Sequence, residues 1–298
     1  MKVCSSGIDI NGFLSVLRAY GSIAVEDVVI RYVLSRILSL THHVNTLPYW
    51  LSLTEEAFRR GNVLFIVLDA CRFDFFSVLA PRYFYGRLIA TRSEGTYLPK
   101  WLPSFLKMAS QSGNARIYRA TCSIRPHDLS FKNFCTSIGQ AIELIELKPK
   151  GIGISKLVVQ PVDVNGKVLE LGLKSRTIIW YMQPHFPWIT CPEVSKNFIF
   201  PFMLYEFAPA TVIKKYMDGI KKDSAIECYH KNLLMVLRAV RGLLEELDRE
   251  RKVFSRYRVI ITADHGELLG EYGLLFHPPN YRLPQLIIVP WMEVHGLT

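Results

Sequence analysis

Two strongly apolar segments of this chain each lead into an aspartate, and this pattern limits the fold. One segment covers residues 63–68 and leads into Asp69. The other covers residues 259–262 and leads into the pair Asp264 and His265. Such runs, rich in Val, Ile and Leu, are typical of strands buried in a parallel sheet, and parallel sheets bind ligands beyond the carboxyl ends of their strands. The two segments therefore predict carboxylates and an imidazole at one edge of a parallel sheet.

These side chains have the composition of a metal site. Zinc accepts aspartate together with histidine, whereas Mg²⁺ and Mn²⁺ favour oxygen ligands. No four-cysteine or His-x-x-x-His pattern in the sequence competes with this interpretation. We predict a divalent metal, zinc first and Mn²⁺, Mg²⁺ or Ca²⁺ as alternatives, on Asp69, Asp264 and His265, with His277 close enough to contribute a further imidazole.

Composition indicates a folded globular protein with anionic partners. The chain has 298 residues, of which half are apolar, and this excludes fibrous and disordered classes. Lys and Arg number 36 against 26 Asp and Glu, giving a net charge of +10. This excess favours anionic partners such as phosphoesters. The basic residues are spread along the chain without a nucleic-acid-binding motif.

The N-terminal part predicts helices that precede the main domain. Residues 12–40 are apolar but contain five charged residues, whereas a membrane-spanning helix needs about 20 predominantly apolar residues. We expect no spanning segment and favour packing on the main domain over peripheral contact with a membrane. The first residues lack the features of a secretory signal, so a cytoplasmic location is expected. The predicted division is a helical extension over 1–60 and one catalytic domain over 61–298; the oligomeric state is left open.

Six cysteines are scattered along the chain without a Cys-x-x-Cys pair. This spacing matches neither a zinc nor a redox motif, so buried free thiols are the expectation.

The predicted fold class is α/β, a three-layer sandwich with a mostly parallel central sheet. Strands and helices alternate, which implies right-handed crossovers and a sheet covered on both faces. Asn165-Gly166 is interpreted as a hairpin-like turn between weak strands. The other predicted elements are strands at 85–91, 116–119, 176–182 and 286–291 and helices at 75–79, 101–109 and 224–249.

Several motifs, in order, resemble the alkaline phosphatase-like superfamily, which includes sulfatases, nucleotide pyrophosphatase/phosphodiesterases and phosphoethanolamine transferases. A single Asp-His-Gly motif occurs often by chance, whereas several motifs in the expected order indicate the family. The resemblance runs from about residue 62 to the C-terminus and implies an alkaline phosphatase-like fold. The motifs are the strand ending in Asp69 with Arg72 and Asp74, Tyr181-Met-Gln-Pro-His185-Phe-Pro187-Trp188, Ala263-Asp264-His265-Gly266-Glu267-Leu-Leu-Gly-Glu271, His277-Pro278 and the strand Leu286-Ile-Ile-Val-Pro-Trp291.

The resemblance implies an oxygen nucleophile in the loop after the first helix and strand. Here that loop offers Thr96 first and Ser93 second. Gly95 permits close backbone approach, and a helix is predicted just after Thr96, where free N–H groups stabilise an oxyanion. The implied reaction is phosphoester hydrolysis or transfer through a covalent phospho-threonine, with His185 or His277 protonating the leaving oxygen or activating water.

Two departures from the family patterns favour phosphoester chemistry with one metal. Sulfatases carry a Cys/Ser-x-Pro-x-Arg motif, and Cys122-Ser-Ile-Arg125 lacks its proline; they also usually have Asn where this chain has His265. Tyr181 stands where two-metal members have Asp, so a complete second site is not expected. His185 and His277 are then expected to contact the substrate, as in the phosphoethanolamine transferases. The alternatives are a sulfuric-ester hydrolase acting without formylglycine and a catalytically inert binding module of the same fold.

Three further charged residues, Arg72, Glu267 and Glu271, lie within the motifs. Arg72 either binds a substrate phosphate or pairs with Asp74 as scaffold. Glu267 and Glu271 are predicted to support the site or to begin a helix, because acidic residues are favoured in a first helical turn.

Overall fold

The computed structural model of the chain describes residues 43–96, 98–111, 115–123, 131, 135, 142–150, 153–204, 222–277 and 281–298. Most of the predicted N-terminal extension, including the apolar stretch 12–40, lies outside these residues, so the domain division stays a prediction. No helix of the described residues is both long enough and apolar enough to cross a membrane.

A seven-stranded sheet forms the centre of the molecule. The strands of the chain are β1 (Val63–Leu68), β2 (Phe84–Arg92), β3 (Ala115–Ala120), β4 (Ile142–Leu147), β5 (Arg176–Tyr181), β6 (Arg258–Thr262), β7 (Leu268–Leu269), β8 (Leu275–Phe276) and β9 (Ile288–Leu297). The order in the sheet is β2-β9-β6-β1-β5-β3-β4, and β7 and β8 form a separate hairpin. β9 runs antiparallel to its neighbours β2 and β6, and the other neighbouring pairs are parallel. This confirms the prediction of a mostly parallel central sheet.

Helices cover the sheet and complete the predicted α/β class. The aromatic side chains of Trp50 and Phe58 on the first helix and Phe105 on the third pack together against Phe65 of β1. The helices are α1 (Trp50–Arg59), α2 (Phe73–Leu79), α3 (Leu98–Ser110), α4 (Pro161–Leu171), α5 (Pro192–Leu204), α6 (Lys222–Arg251), α7 (Val253–Arg256) and α8 (Pro284–Ile287).

The register of the central strands brings the two aspartate segments together. β1 lies between β6 and β5, with Val67 opposite Thr262 and Leu68 opposite Tyr181. Continuing the β1–β6 register by two residues sets Asp69 level with Asp264. The carboxyl ends of β1, β5 and β6 therefore share one edge of the sheet, as the apolar segments predicted.

The segment around Asn165 differs from its prediction. It forms α4 instead of a hairpin-like turn, with Pro161 in the first turn of the helix and Val164 and Val168 buried one turn apart. The Asn165 amide donates to the carbonyl of Ala239 on α6 (2.8 Å). Tertiary packing thus overrides the local turn preference of Asn-Gly.

The cysteines are also only partly as predicted. Cys71 and Cys135 are free and buried, but Cys191 and Cys228 form a disulfide with their Cα atoms 5.6 Å apart. The bond joins the segment before α5 to α6. Pairing between residues 37 positions apart follows from the packing of these two elements and cannot be deduced from spacing alone.

Candidate active site

The three predicted metal ligands converge at the carboxyl edge of the sheet. Asp69, Asp264 and His265 each offer one ligand atom, and the three atoms lie within 4.8 Å of one another. All three side chains are almost wholly buried. Buried carboxylates normally require a cation or several hydrogen bonds beside them, so the grouping has the character of a cation site.

The orientation of His265 fits a metal ligand. Its Nδ1 lies 2.9 Å from the carbonyl oxygen of Gly266, so Nδ1 carries the proton and Nε2 presents a lone pair. Nε2 lies 3.5 Å from Asp264 Oδ2 and 3.8 Å from Asp69 Oδ1. Two ligand atoms on one zinc ion, each about 2 Å from it, lie at most about 4 Å apart. Both distances meet that limit, and the donor set fits a divalent metal.

Asp264 connects the turns that follow β1 and β6. Its Oδ1 accepts the backbone N–H groups of Ala70 (3.1 Å) and His265 (3.0 Å). Those two bonds fix the rotation of the carboxylate and leave Oδ2 on the side of His265 Nε2.

His185 and His277 adjoin the three ligands. Their Nε2 atoms lie 2.8 Å apart, and the ring centroids of His277 and His265 are separated by 4.3 Å. His185 is fully buried, and its Nδ1 contacts the carbonyl of Phe186, whereas His277 is partly exposed. The structure therefore brings both predicted catalytic histidines to the three predicted metal ligands.

Ser93 and Thr96 occupy the loop between β2 and α3. The Ser93 hydroxyl contacts the carbonyl oxygen of Asp264 and accepts the N–H of Gly95 (3.3 Å). It thus ties the loop to the turn that carries the metal ligands. Thr96 is buried, with 5% of its surface exposed, and lies two residues before α3 begins.

Arg72 acts as scaffold. Its Nε and Nη2 bond both carboxylate oxygens of Asp74 (3.0 and 2.6 Å), and Nη1 bonds Glu271 (2.6 Å) and the carbonyl of Glu267 (3.2 Å). Burial alone would lower the pKa of Arg72, but the hydrogen bond and charge of Asp74, reinforced by Glu271, raise it above its ordinary value. These contacts occupy the guanidinium, which decides between the two roles left open from sequence.

Gly266 allows a close backbone approach beside the ligands. A Cβ atom at this position would lie 2.0 Å from the carbonyl oxygen of Gln285. The Gly266 N–H also donates to the carbonyl of Leu286 (2.8 Å). The chain from Gln285 to Leu286 therefore lies directly against the Asp264 turn, and only glycine fits there.

Tyr181, which stands where two-metal members of the superfamily that the motifs resemble have Asp, packs against α4. Its hydroxyl donates to Asn165 Oδ1 (2.6 Å). This contact gives the tyrosine a structural role at the position where a second metal site would need a carboxylate.

Sequence reasoning missed two residues of α6 that contact the site. The Tyr229 hydroxyl bonds the backbone of Ala70 and Arg72, and the Asn232 amide donates to the carbonyls of Pro184 (3.2 Å) and His185 (3.4 Å). Both side chains are fully buried. The available signal was their position on the helix, where polar groups stand among apolar core residues.

Comparisons with known proteins find similarity only among solved structures. No family model matches the chain, and no curated protein matches it significantly. The C-terminal periplasmic domain of phosphoethanolamine transferase EptC from Campylobacter jejuni is 15% identical over 77% of each chain, with a TM-score of 0.47. Phosphonate monoester hydrolase of Agrobacterium radiobacter is 13% identical over 78% of this chain and 68% of that chain, with a TM-score of 0.47. A protein in the alkaline phosphatase superfamily from Vibrio parahaemolyticus is 13% identical over 80% of this chain and 61% of that chain, with a TM-score of 0.45.

The similar structures include a protein of the superfamily that the motifs resemble. Two findings contradict the predicted cytoplasmic location. The Campylobacter jejuni structure is described as a periplasmic domain. The disulfide between Cys191 and Cys228 agrees with that, since such bonds are rare in the cytosol. The prediction of a cytoplasmic location is therefore wrong.

Proposed function

We propose that this chain is a metal-dependent hydrolase or transferase of phosphoesters that acts through a covalent phospho-threonine at Thr96. The observation that carries the proposal is the convergence of one ligand atom each from Asp69, Asp264 and His265 within 4.8 Å of one another. Two further imidazoles, from His185 and His277, adjoin these atoms. A cation beside proton-transferring groups is a combination that accelerates phosphoester cleavage.

Asp69, Asp264 and His265 would hold the metal. When bound there, a divalent ion supplies positive charge to the transferring group and lowers the pKa of an adjacent hydroxyl. The two backbone N–H bonds to Asp264 Oδ1 support this role, because they hold the carboxylate in place before a ligand arrives. The excess of basic residues, a net charge of +10, favours anionic substrates.

Thr96 is the proposed nucleophile. Ser93, the second candidate, has its hydroxyl engaged by the backbone of Asp264 and Gly95, which supports a structural role for it. Thr96 precedes α3, whose first N–H groups favour negative charge. Its hydroxyl would lose its proton to solvent as Oγ1 bonds to phosphorus, and the ester oxygen would leave with a proton from the histidine pair. Water or an acceptor alcohol would then displace the threonine, and two in-line displacements retain configuration.

His277 and His185 would supply the proton to the leaving oxygen. His277 is the more exposed of the two, so it is the better placed to meet a substrate that enters from solvent. His185 is buried and bonded through Nδ1 to the carbonyl of Phe186, so its Nε2 can accept a hydrogen bond from His277 Nε2 at 2.8 Å. The pair would thus hold one proton between them and deliver it to the leaving oxygen.

The first test combines metal analysis with turnover of aryl phosphate, phosphodiester and sulfate esters. Asp264→Asn is the key variant, because its amide oxygen can still accept the N–H groups of Ala70 and His265 while the charge facing His265 is lost. We expect metal affinity to fall by more than about 100-fold, beyond the usual effect of a residue outside the ligand shell. A native chain that binds no metal and turns over no ester would contradict the proposal.

The covalent step is tested by trapping. We expect rapid acid quenching during turnover to leave a phosphoryl group on the peptide that contains Thr96. Thr96→Ala should abolish both this adduct and the initial burst of leaving-group release that accompanies its formation. Thr177→Val is the matched control, since Thr177 is a buried threonine at the opposite, amino end of β5. An adduct on Ser93, or turnover that survives Thr96→Ala, would assign the nucleophile elsewhere.

A further inference from the structure

The turn that presents Asp69 has an unfavourable backbone conformation. Ala70 has a φ of +59°, in the left-handed region that residues with a Cβ rarely adopt. Such conformations persist only where the surrounding structure holds them, and they concentrate at functional sites. The contacts of residues 69–72 therefore identify what keeps Asp69 in place.

The backbone of this turn is held from the ends of the two strands that neighbour β1, namely β5 and β6, and from one helix, α6. The Asp69 N–H donates to the carbonyl of Tyr181 (3.0 Å), and the Asp69 carbonyl accepts the N–H of His185 (3.1 Å). The Ala70 N–H donates to Asp264 Oδ1 (3.1 Å). These bonds fix the first part of the turn through segments that themselves carry site residues.

The second part of the turn is held by one side chain. The Tyr229 hydroxyl donates to the carbonyl of Ala70 (2.8 Å) and accepts the N–H of Arg72 (2.8 Å), so it closes a bridge around Cys71. Tyr229 is fully buried on α6, and its ring packs edge-on against Phe75 at 5.2 Å. A phenol can make both bonds only while it keeps its proton.

The environment keeps that proton in place. Burial raises the pKa of Tyr229 well above its ordinary value, and the neighbouring Cys71 thiol adds to the effect. The hydroxyl is therefore a donor and an acceptor throughout the physiological range of pH.

We propose that Tyr229 is a positioning residue, whose hydroxyl holds Ala70 in the left-handed conformation and so fixes Asp69 at the metal site. The consequence for metal binding rests on the proposed function; the bridge itself does not. Tyr229→Phe removes the hydroxyl alone and preserves the packing on Phe75. The substitution breaks the hydrogen bonds of the hydroxyl to the Ala70 carbonyl and the Arg72 N–H. The turn then relaxes toward ordinary φ values and carries the Asp69 carboxylate away from His265.

The test compares five full-length proteins: native, Tyr229→Phe, Ala70→Gly, the double variant of the two, and Tyr118→Phe. Tyr118 is the matched control, a buried tyrosine whose hydroxyl bonds the carbonyl of Gly172 (2.6 Å) far along the chain from the turn. Two quantities are measured, namely amide hydrogen exchange of residues 69–72 in metal-free protein and Zn²⁺ affinity by competition with a chelator.

We expect Tyr229→Phe to speed exchange at Ala70 and Arg72, and to weaken Zn²⁺ binding by about tenfold or more, as for other partners of metal ligands. Tyr118→Phe should change neither. Glycine adopts the left-handed conformation without a steric cost, so the loss of affinity caused by Tyr229→Phe should be smaller in the Ala70→Gly background.

Three results would overturn the inference: unchanged exchange at residues 70 and 72, exchange that rises equally all along α6, or an equal loss of affinity in both backgrounds. A native chain that binds none of Zn²⁺, Mn²⁺, Mg²⁺ and Ca²⁺ would instead contradict the proposed function. In that case the exchange measurement still decides whether Tyr229 holds the turn, so the two failures are distinguishable.

Discussion

The Nε2 atoms of His185 and His277 lie 2.8 Å apart although 92 residues separate them in the chain. Two imidazole nitrogens at this distance share one proton, because two N–H groups would repel each other. The buried His185 thereby orients the more exposed His277. In the proposed reaction, His277 would meet the leaving group and His185 would hold His277 in position.

Replacing His277 by Gln should therefore impair substrates with poor leaving groups most. We expect turnover of an alkyl phosphoester to fall by about 10²–10⁴-fold, the range for loss of a general acid, and turnover of a nitrophenyl ester to fall much less. His295→Gln is the control, because His295 is exposed on β9. Equal losses with both leaving groups would assign His277 to binding instead of proton transfer.

The convergence of Asp69, Asp264 and His265 could be predicted from sequence because these residues follow two buried strands. The apolar composition of segments 63–68 and 259–262 predicts a buried strand for each. Because the two strands pair in parallel, their carboxyl ends lie side by side. The interpretation of Asn165-Gly166 as a hairpin-like turn was wrong. Burial of Val164 and Val168 stabilises α4 by more than the local preference of Asn-Gly stabilises a turn.

The supporting residues could not be predicted, because they depend on how α6 crosses the sheet. Nothing local to Tyr229 indicates a contact with Ala70, which lies 159 residues away. Asn232 and the Cys191–Cys228 disulfide depend on the same placement. Thr96 comes from family resemblance and stays a prediction.

Gly266→Ala should destabilise the fold beside the site. The added Cβ would lie 2.0 Å from the carbonyl oxygen of Gln285, which belongs to the backbone and cannot rotate away. We expect a loss of about 1–3 kcal/mol in the free energy of unfolding, as for other overpacked positions. Gly242→Ala is the control: it lies inside α6 with open space around it, and alanine should stabilise the helix by about 0.5–1 kcal/mol. A Gly266→Ala protein as stable as native would contradict the close approach.

Glu271→Gln should reduce stability at neutral pH but not at acid pH. Burial alone would raise the pKa of Glu271, but the charge and hydrogen bond of Arg72 outweigh it and lower the pKa. A carboxyl whose pKa is lowered on folding stabilises the fold at pH values above its pKa in the unfolded chain, which is about 4.3 for Glu. This stabilisation is lost as the pH falls through the pKa of Glu271 in the folded protein. We expect the variant to lose about 2 kcal/mol at pH 7.

The measurement for Glu271 is denaturant unfolding of the native and variant proteins across pH. The difference between them should narrow below the unfolded pKa, because the native carboxyl is then protonated as well. Glu250→Gln, an exposed position at the end of α6, should show no difference at either pH. A difference that stays constant with pH would mean that the charge of Glu271 contributes nothing.

Removing the disulfide should loosen the contact between α6 and the segment that carries His185. Cys228 immediately precedes Tyr229, and Cys191 follows His185 by six residues. The disulfide therefore links the helix that carries Tyr229 to the segment that carries His185. For a loop of 37 residues we expect Cys191→Ser/Cys228→Ser to lose about 3–4 kcal/mol in the free energy of unfolding. Adding a reductant to native protein should produce the same loss, whereas the double variant should not respond to it. Alkylation of both cysteines in unreduced, denatured native protein would show that the bond does not form.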